Sequence, residues 1–127
     1  MTMIKRSLTL LAIPVLLATS AAFAKDGDGR VERTGSCSGS SDWELTVKPD
    51  DGRLEVEFDV DQNRNGVQWH VVLKLNGEKV RKGNRTTQPP SGSFSFNKRL
   101  PNPAGEDKVV AIAKRASGER CRGVVRI

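Results

Sequence analysis

Glu55, Glu57, Asp59 and Asp61 fall at every second position of one short run, which on an extended chain lines up carboxylates along a single face. Neighbours on such a face are close enough for paired acid-base chemistry of the glycosidase kind. That chemistry also needs a cleft that drives the two pKa values apart. In the expected sheet these acids lie beside Arg53, His70 and Lys74, so the pattern reads as a solvated face with cross-strand charge pairing. A concave site around Glu57 would instead mark a weak hydrolase. Nucleophilic catalysis needs a serine or cysteine, a base and an orienting partner. His70 is the only histidine, and it stands in mid-strand without such company. The chain is expected not to be an enzyme and to carry no cofactor.

Asp61, Asn63, Asn65 and Gly66 have the alternating oxygen donors and the glycine of the first half of a calcium loop. The twelfth position holds Val72 instead of a bidentate glutamate, so at most one charged ligand remains. A hairpin turn rich in Asn and Gly is the expected use of this segment. Cys37 and Cys121 are the two cysteines, and no His or Cys cluster accompanies either of them. Metal or thiol chemistry is therefore set aside, and one disulfide in an oxidising compartment is expected, stapling the first strand to the last.

The elements that must position these residues show in the apolar series Leu54, Val56, Phe58 and Val60, continued after a turn by Val67, Trp69, Val71, Leu73 and Leu75. A period of two over such lengths means strands with one dry face. A central hairpin is expected here, with Val60 opposite Val67, Phe58 opposite Trp69, and Glu57 opposite His70 on the wet face. A shift of one residue would turn every apolar side chain to water, so the parity is firm. Asn76-Gly77 is a type I′ turn signal, and residues 49–52 have the chemistry of a second hairpin. Residues 78–82 then form a short charged edge strand, and residues 83–92, with Pro89 and Pro90, a long loop. Trp43, Leu45 and Val47 point inward, as do Phe94 and Phe96. Residues 109–113 read as a central buried strand, and residues 121–127 close the sheet with Cys121, Gly123, Val125 and Ile127 on one face.

Residues 1–24 have the parts of a cleaved secretory signal peptide: Lys5 and Arg6, an apolar run, and Ala22-Phe23-Ala24. The apolar run is interrupted by Pro14 and falls short of the roughly 20 residues a bilayer core requires. No membrane span is expected after cleavage. Residues 25–30 are short, charged and glycine-rich, and read as a flexible segment before one domain over residues 31–127. The formal net charge of +6 drops by two when Lys5 and Arg6 leave. That balance, with few aromatics, argues against nucleic acid and leaves an anionic wall polymer or an extracellular protein as partner.

Seven or eight short strands without an amphipathic helix give an all-β, antiparallel two-sheet sandwich, with a small closed barrel as the alternative. Strand count, length, inward tryptophans and the end-to-end disulfide resemble the immunoglobulin-like and fibronectin type III class of extracellular sandwich. The chain departs from true immunoglobulin domains in lacking a Cys-Trp-Cys core pattern, and fold likeness licenses no function. Asn84, Arg85, Thr86 and Thr87 also resemble the Asn-Pro-Thr-Thr-Gly loop of chagasin-type cysteine-protease inhibitors. Arg85 and Gln88 replace the proline and glycine, and that family's Arg-Pro-Trp loop is absent. The resemblance implies inhibition of a papain-like enzyme as the alternative function. The leading expectation is a secreted or periplasmic binding module whose contact patch comprises Arg81, Lys82, Arg85, Thr86 and Thr87.

Overall fold

The computed structural model describes residues 27–127. The expected leader lies outside them. Residues 27–30 lead through a turn, closed by the Arg30 N–H on Asp28 Oδ1, into the first strand. Eight strands follow: β1 (Val31–Ser36), β2 (Asp42–Asp50), β3 (Arg53–Asp61), β4 (Gln68–Leu75), β5 (Glu78–Thr86), β6 (Ser93–Pro101), β7 (Lys108–Arg115) and β8 (Arg120–Arg126). They form two four-stranded antiparallel sheets, ordered β1-β2-β3-β6 and β5-β4-β7-β8. The sandwich is as expected, and the alternative of a single closed barrel is not formed.

The central hairpin is not formed either. β3 pairs with β2 and β6, while β4 pairs with β5 and β7, so residues 62–67 carry the chain across from one sheet to the other. Phe58 is opposite Leu45 and Phe96, not Trp69. Parity nevertheless survives: Leu54, Val56, Phe58, Val60, Trp69, Val71, Leu73 and Leu75 are all buried, now facing each other across the sandwich. Inward parity constrains which face is dry; it does not say whether two dry faces share a sheet or oppose one another.

Three connections explain the crossing. The Gln62 N–H donates to Gly92 O at 3.0 Å and the Gly66 N–H to Thr87 O at 2.8 Å, tying the β3-β4 connection to the β5-β6 connection. A Cβ on Gly92 would stand 2.2 Å from Arg64 N, so only glycine admits this approach. Trp69 Nε1 donates to buried Gln62 Oε1 at 3.0 Å, which lets the largest core side chain sit fully buried with its donor satisfied.

The two hairpin signals that the sequence offers most clearly are used. Asp51 and Gly52 (φ 53° and 76°) turn β2 into β3, and Asn76 and Gly77 (φ 51° and 89°) turn β4 into β5. β5 runs on to Thr86 rather than stopping at Lys82, because residues 83–86 hold no proline and continue the ladder with β4 through His70↔Asn84 and Gln68↔Thr86. The expected loop thereby shortens to residues 87–92. β7 lies between β4 and β8 as a strand buried on both sides. The disulfide joins Cys37, just past β1, to Cys121 in β8, linking the two sheets at one corner.

Candidate binding faces

Each sheet presents its outward residues to solvent, and charge is sorted between the two. On β5-β4-β7-β8, outward positions hold Lys79 and Lys82 of β5, Lys74 of β4, Lys108 and Lys114 of β7, and Arg120, Arg122 and Arg126 of β8. Among the described residues, no Asp or Glu occupies an outward strand position there. Arg126 meets Glu106, from the loop before β7, at 3.4 Å. Outward neighbours recur about 7 Å apart along a strand and about 5 Å apart between strands, and the cations occupy this grid around the central apolar positions Val72, Val110, Ile112 and Val124.

The floor of this face is apolar. Val110 and Ile112 point outward yet are only 5% and 9% exposed, apart from the main core. Register sets Lys74 and Val124 beside Val110, and Val72 and Arg122 beside Ile112, so long basic stems and neighbouring valines together can shield them while the charged heads reach water. A shallow groove of about 270 Å³ here is lined by His70, Val72, Lys74, Lys79, Ile112, Lys114 and Arg120. His70 lies within hydrogen-bonding distance of Asn84 Oδ1, with Nδ1 at 2.9 Å.

The opposite face is acidic. Glu32 of β1, Asp42 and Glu44 of β2, and Glu55, Glu57, Asp59 and Asp61 of β3 point outward on β1-β2-β3-β6, and the cations among them, Lys48, Arg53 and Arg99, gather around Glu55 at one end. Register sets Glu44 opposite Asp59, and Glu57 opposite Thr46 with Glu32 beyond it. Of the expected compensating residues, Arg53 stands on this face at the start of β3, whereas His70 and Lys74 stand on the other sheet. Crowding shows in protonation: a hydrogen bond with Glu32, partial burial, and repulsion from Glu32, Asp59 and Glu57 push Glu44 up to about 7. Burial and the charges of Asp59, Glu55 and Glu32 also raise Glu57. Ser95 donates to Asp59, and Arg99 meets Asp50 near the far end. A shallow open depression holds Asp42, Glu44, Asp59 and Asp61 with Thr34 and Ser95.

The expected contact patch divides. Lys82 and Thr86 are exposed on the basic face. Arg81 and Arg85 are half-buried at the seam where β5 approaches β6: Arg81 donates to Val80 O at 2.7 Å and Arg99 O at 3.0 Å, and Arg85 lies 4.7 Å over the Phe96 ring. Thr87 is buried, with Oγ1 donating to Arg64 O at 2.6 Å and accepting the Val67 N–H at 2.9 Å. Asn84, Arg85 and Thr86 belong to a strand and not to a loop. Asp61 Oδ1 accepts the Asn63 N–H at 3.1 Å, so this donor of the calcium-like segment closes its own turn. Among the described residues, no group of three or more His, Cys, Asp or Glu side chains could hold a metal ion.

Sequence reasoning missed Glu119. It is 6% exposed, accepting the Ser41 N–H at 2.9 Å and Arg115 Nε at 2.8 Å. Burial acts to raise its pKa, but the Ser41 N–H and the Arg115 guanidinium outweigh it and hold the carboxyl below its ordinary value. The site beside the disulfide is thereby locked: the Ser38 N–H reaches Arg120 O at 2.8 Å and the Arg120 N–H reaches Ser38 Oγ at 2.9 Å. Nothing in the sequence marks a glutamate in a Ser-Gly-Glu turn as buried.

Comparison of the chain with protein-family models, curated proteins and solved structures returns no match. The reading of function therefore rests on the two faces. Among the described residues, no helix is long and apolar enough to cross a membrane.

Proposed function

We propose that this chain is an exported, non-enzymatic binding module that holds a repetitive anionic polymer on the outer face of β5-β4-β7-β8. One observation carries the reading: the cation array of Lys74, Lys79, Lys82, Lys108, Lys114, Arg120, Arg122 and Arg126, with no outward carboxylate in the strands. A flat array of cations suits repeated negative charges better than one small ligand, and the apolar floor of Val72 and Ile112 suits the less polar faces of a sugar backbone. The disulfide supports export to an oxidising compartment. Strand order supports an immunoglobulin-like or fibronectin type III-like sandwich: β2, β3 and β6 stand as A, B and E, and β4, β7 and β8 as C, F and G.

Retention on dextran sulfate against neutral dextran, followed through a salt series, tests the proposal. The wild type should bind the sulfated polymer alone and release it with salt, as displacement of condensed counterions requires. The variant Lys82→Glu/Lys114→Glu/Arg122→Glu should lose that binding. Equal retention of variant and wild type would overturn the reading.

A further inference from the structure

We infer that the acidic outer face of β1-β2-β3-β6 docks on the basic outer face of β5-β4-β7-β8 of a second copy, stacking the molecules head to tail. Both surfaces are outer faces of four-stranded antiparallel sheets and so share one spacing of outward side chains. Each is self-repulsive in isolation. Glu44, Glu57 and Asp59 crowd on one face with their charges uncompensated enough that Glu44 holds its proton up to about 7. Lys114, Arg120 and Arg122 crowd on the other without an outward carboxylate among them. Bringing the two faces together relieves both crowds at once, and like faces repel, so the charge pattern selects head-to-tail contact over a two-fold dimer.

The two faces lie on opposite sides of the sandwich, so docking leaves one of each free at the ends of every stack. Such a heterologous contact does not close, and stacks grow with concentration. The contact rests on exposed charges, so it is reversible and screened by salt. A polyanion competes for the basic face only. The inference thus stands independently of polymer binding, although both use that face.

Analytical ultracentrifugation of the full chain and of two neutralised variants tests it. One variant is Glu44→Gln/Glu57→Gln/Asp59→Asn; the other is Lys114→Gln/Arg120→Gln/Arg122→Gln. Far-ultraviolet circular dichroism verifies that both fold. The wild-type sedimentation coefficient should climb with protein concentration at low ionic strength and return to the monomer value near 1 M salt, where the screening length is about 3 Å. Each variant alone should stay monomeric. Mixed, they should form dimers and nothing larger, because only one acidic and one basic face remain intact. A monomeric wild type at low salt, or association unchanged in either variant, would overturn the inference. The acid-neutralised variant keeps its basic face, so its binding to dextran sulfate reports on the polymer reading separately.

Discussion

The Trp43 indole occupies the space that a side chain on Gly123 would need: a Cβ there would come within 2.7 Å of Cζ3 of the ring. Gly35 makes a second notch, with Cζ2 at 2.6 Å. Trp43 stands in β2, Gly35 in β1 and Gly123 in β8, so one ring is keyed into both sheets at the edge where β1 and β8 meet. Phe58 completes the seat at a centroid distance of 6.4 Å.

Gly123→Ala should therefore act as overpacking. The rigid ring sits between Gly35 and Gly123 and can yield only toward its half-open side, so a loss of about 1–3 kcal/mol is expected in denaturant unfolding. Trp43 emission should shift to the red as the indole is pushed toward solvent. Unchanged stability would mean that the edge is looser than this packing indicates.

Glu119 makes a different kind of link. Glu119→Gln keeps the shape but removes the charge that holds Arg115 and weakens acceptance from the Ser41 N–H. Because the Arg115 side chain keeps 23% exposure, the cost should fall at the low end for breaking a buried pair, about 3 kcal/mol. Chemical denaturation at pH 7 measures it. Below the ordinary glutamate value of 4.5 the difference between variant and wild type should shrink, since protonation of Glu119 removes the same charge.

These two residues mark the boundary of what was legible in the chain. Period-two alternation identified buried members of β2, β3, β4, β6 and β8, a continuous apolar run identified β7, and Asn76-Gly77 identified a turn, because all these signals are local. Whether β3 and β4 share a sheet is not local. It depends on Gly92 admitting the Arg64 backbone and on Gln62 capping Trp69, contacts between segments far apart in the chain. The same error concealed the charge sorting. With β3 and β4 placed side by side, Glu57 stands opposite His70; with the chain crossing between sheets, most acids fall on one face, together with Lys48, Arg53 and Arg99, and the strands of the other face carry only bases outward. Three of the five expected patch residues failed to face solvent, two of them for a related reason: Arg81 and Arg85 share inward parity with Gly83, and at a sheet edge inward parity leads into the seam.

Gly92→Ala tests the crossing directly. Gly92 has φ 67°, where a side chain is strained, and its Cβ would meet Arg64 backbone atoms that cannot swing aside. A loss of at least about 1–3 kcal/mol is expected from backbone conformation alone, and thermal unfolding should show it. Gly77→Ala is the control with open space around the Cβ and a positive φ (89°), and it should cost less. A Gly92→Ala protein as stable as the Gly77→Ala control would show that the two connections do not pack as closely as described.

Reduction or replacement of Cys37 and Cys121 releases a link spanning 84 residues of sequence. A cost of about 2–4 kcal/mol is expected for Cys37→Ser/Cys121→Ser in denaturant unfolding. Glu119, Ser38 and Arg120 hold the same corner by hydrogen bonds, so the reduced protein should remain folded at room temperature with circular dichroism intact. Collapse of the sheet signal on reduction would show that the corner depends on sulfur alone.

Glu44 gives the fold an unusual pH response. Its folded value is raised to about 7 against an ordinary 4.5, chiefly by the hydrogen bond with Glu32, then by burial and by the charges of Glu32, Asp59 and Glu57. Between those two values the folded state holds a proton that the unfolded state has released, so stability rises as pH falls from about 7 toward 4.5. Glu119 has the opposite sign: its stabilisation is present above 4.5 and lost as pH falls through its lowered folded value. The two contributions therefore act in separate windows, Glu44 between about 7 and 4.5 and Glu119 below 4.5. Glu44→Gln should raise the melting temperature at pH 8, where the wild type carries the whole acidic crowd, and should flatten the slope between pH 5 and 7. A Glu44→Gln protein that melts at the wild-type temperature at pH 8 and retains the wild-type slope would mean that Glu32, Glu44 and Asp59 do not share one electrostatic environment. In that case the acidic face would consist of independent, well-solvated carboxylates.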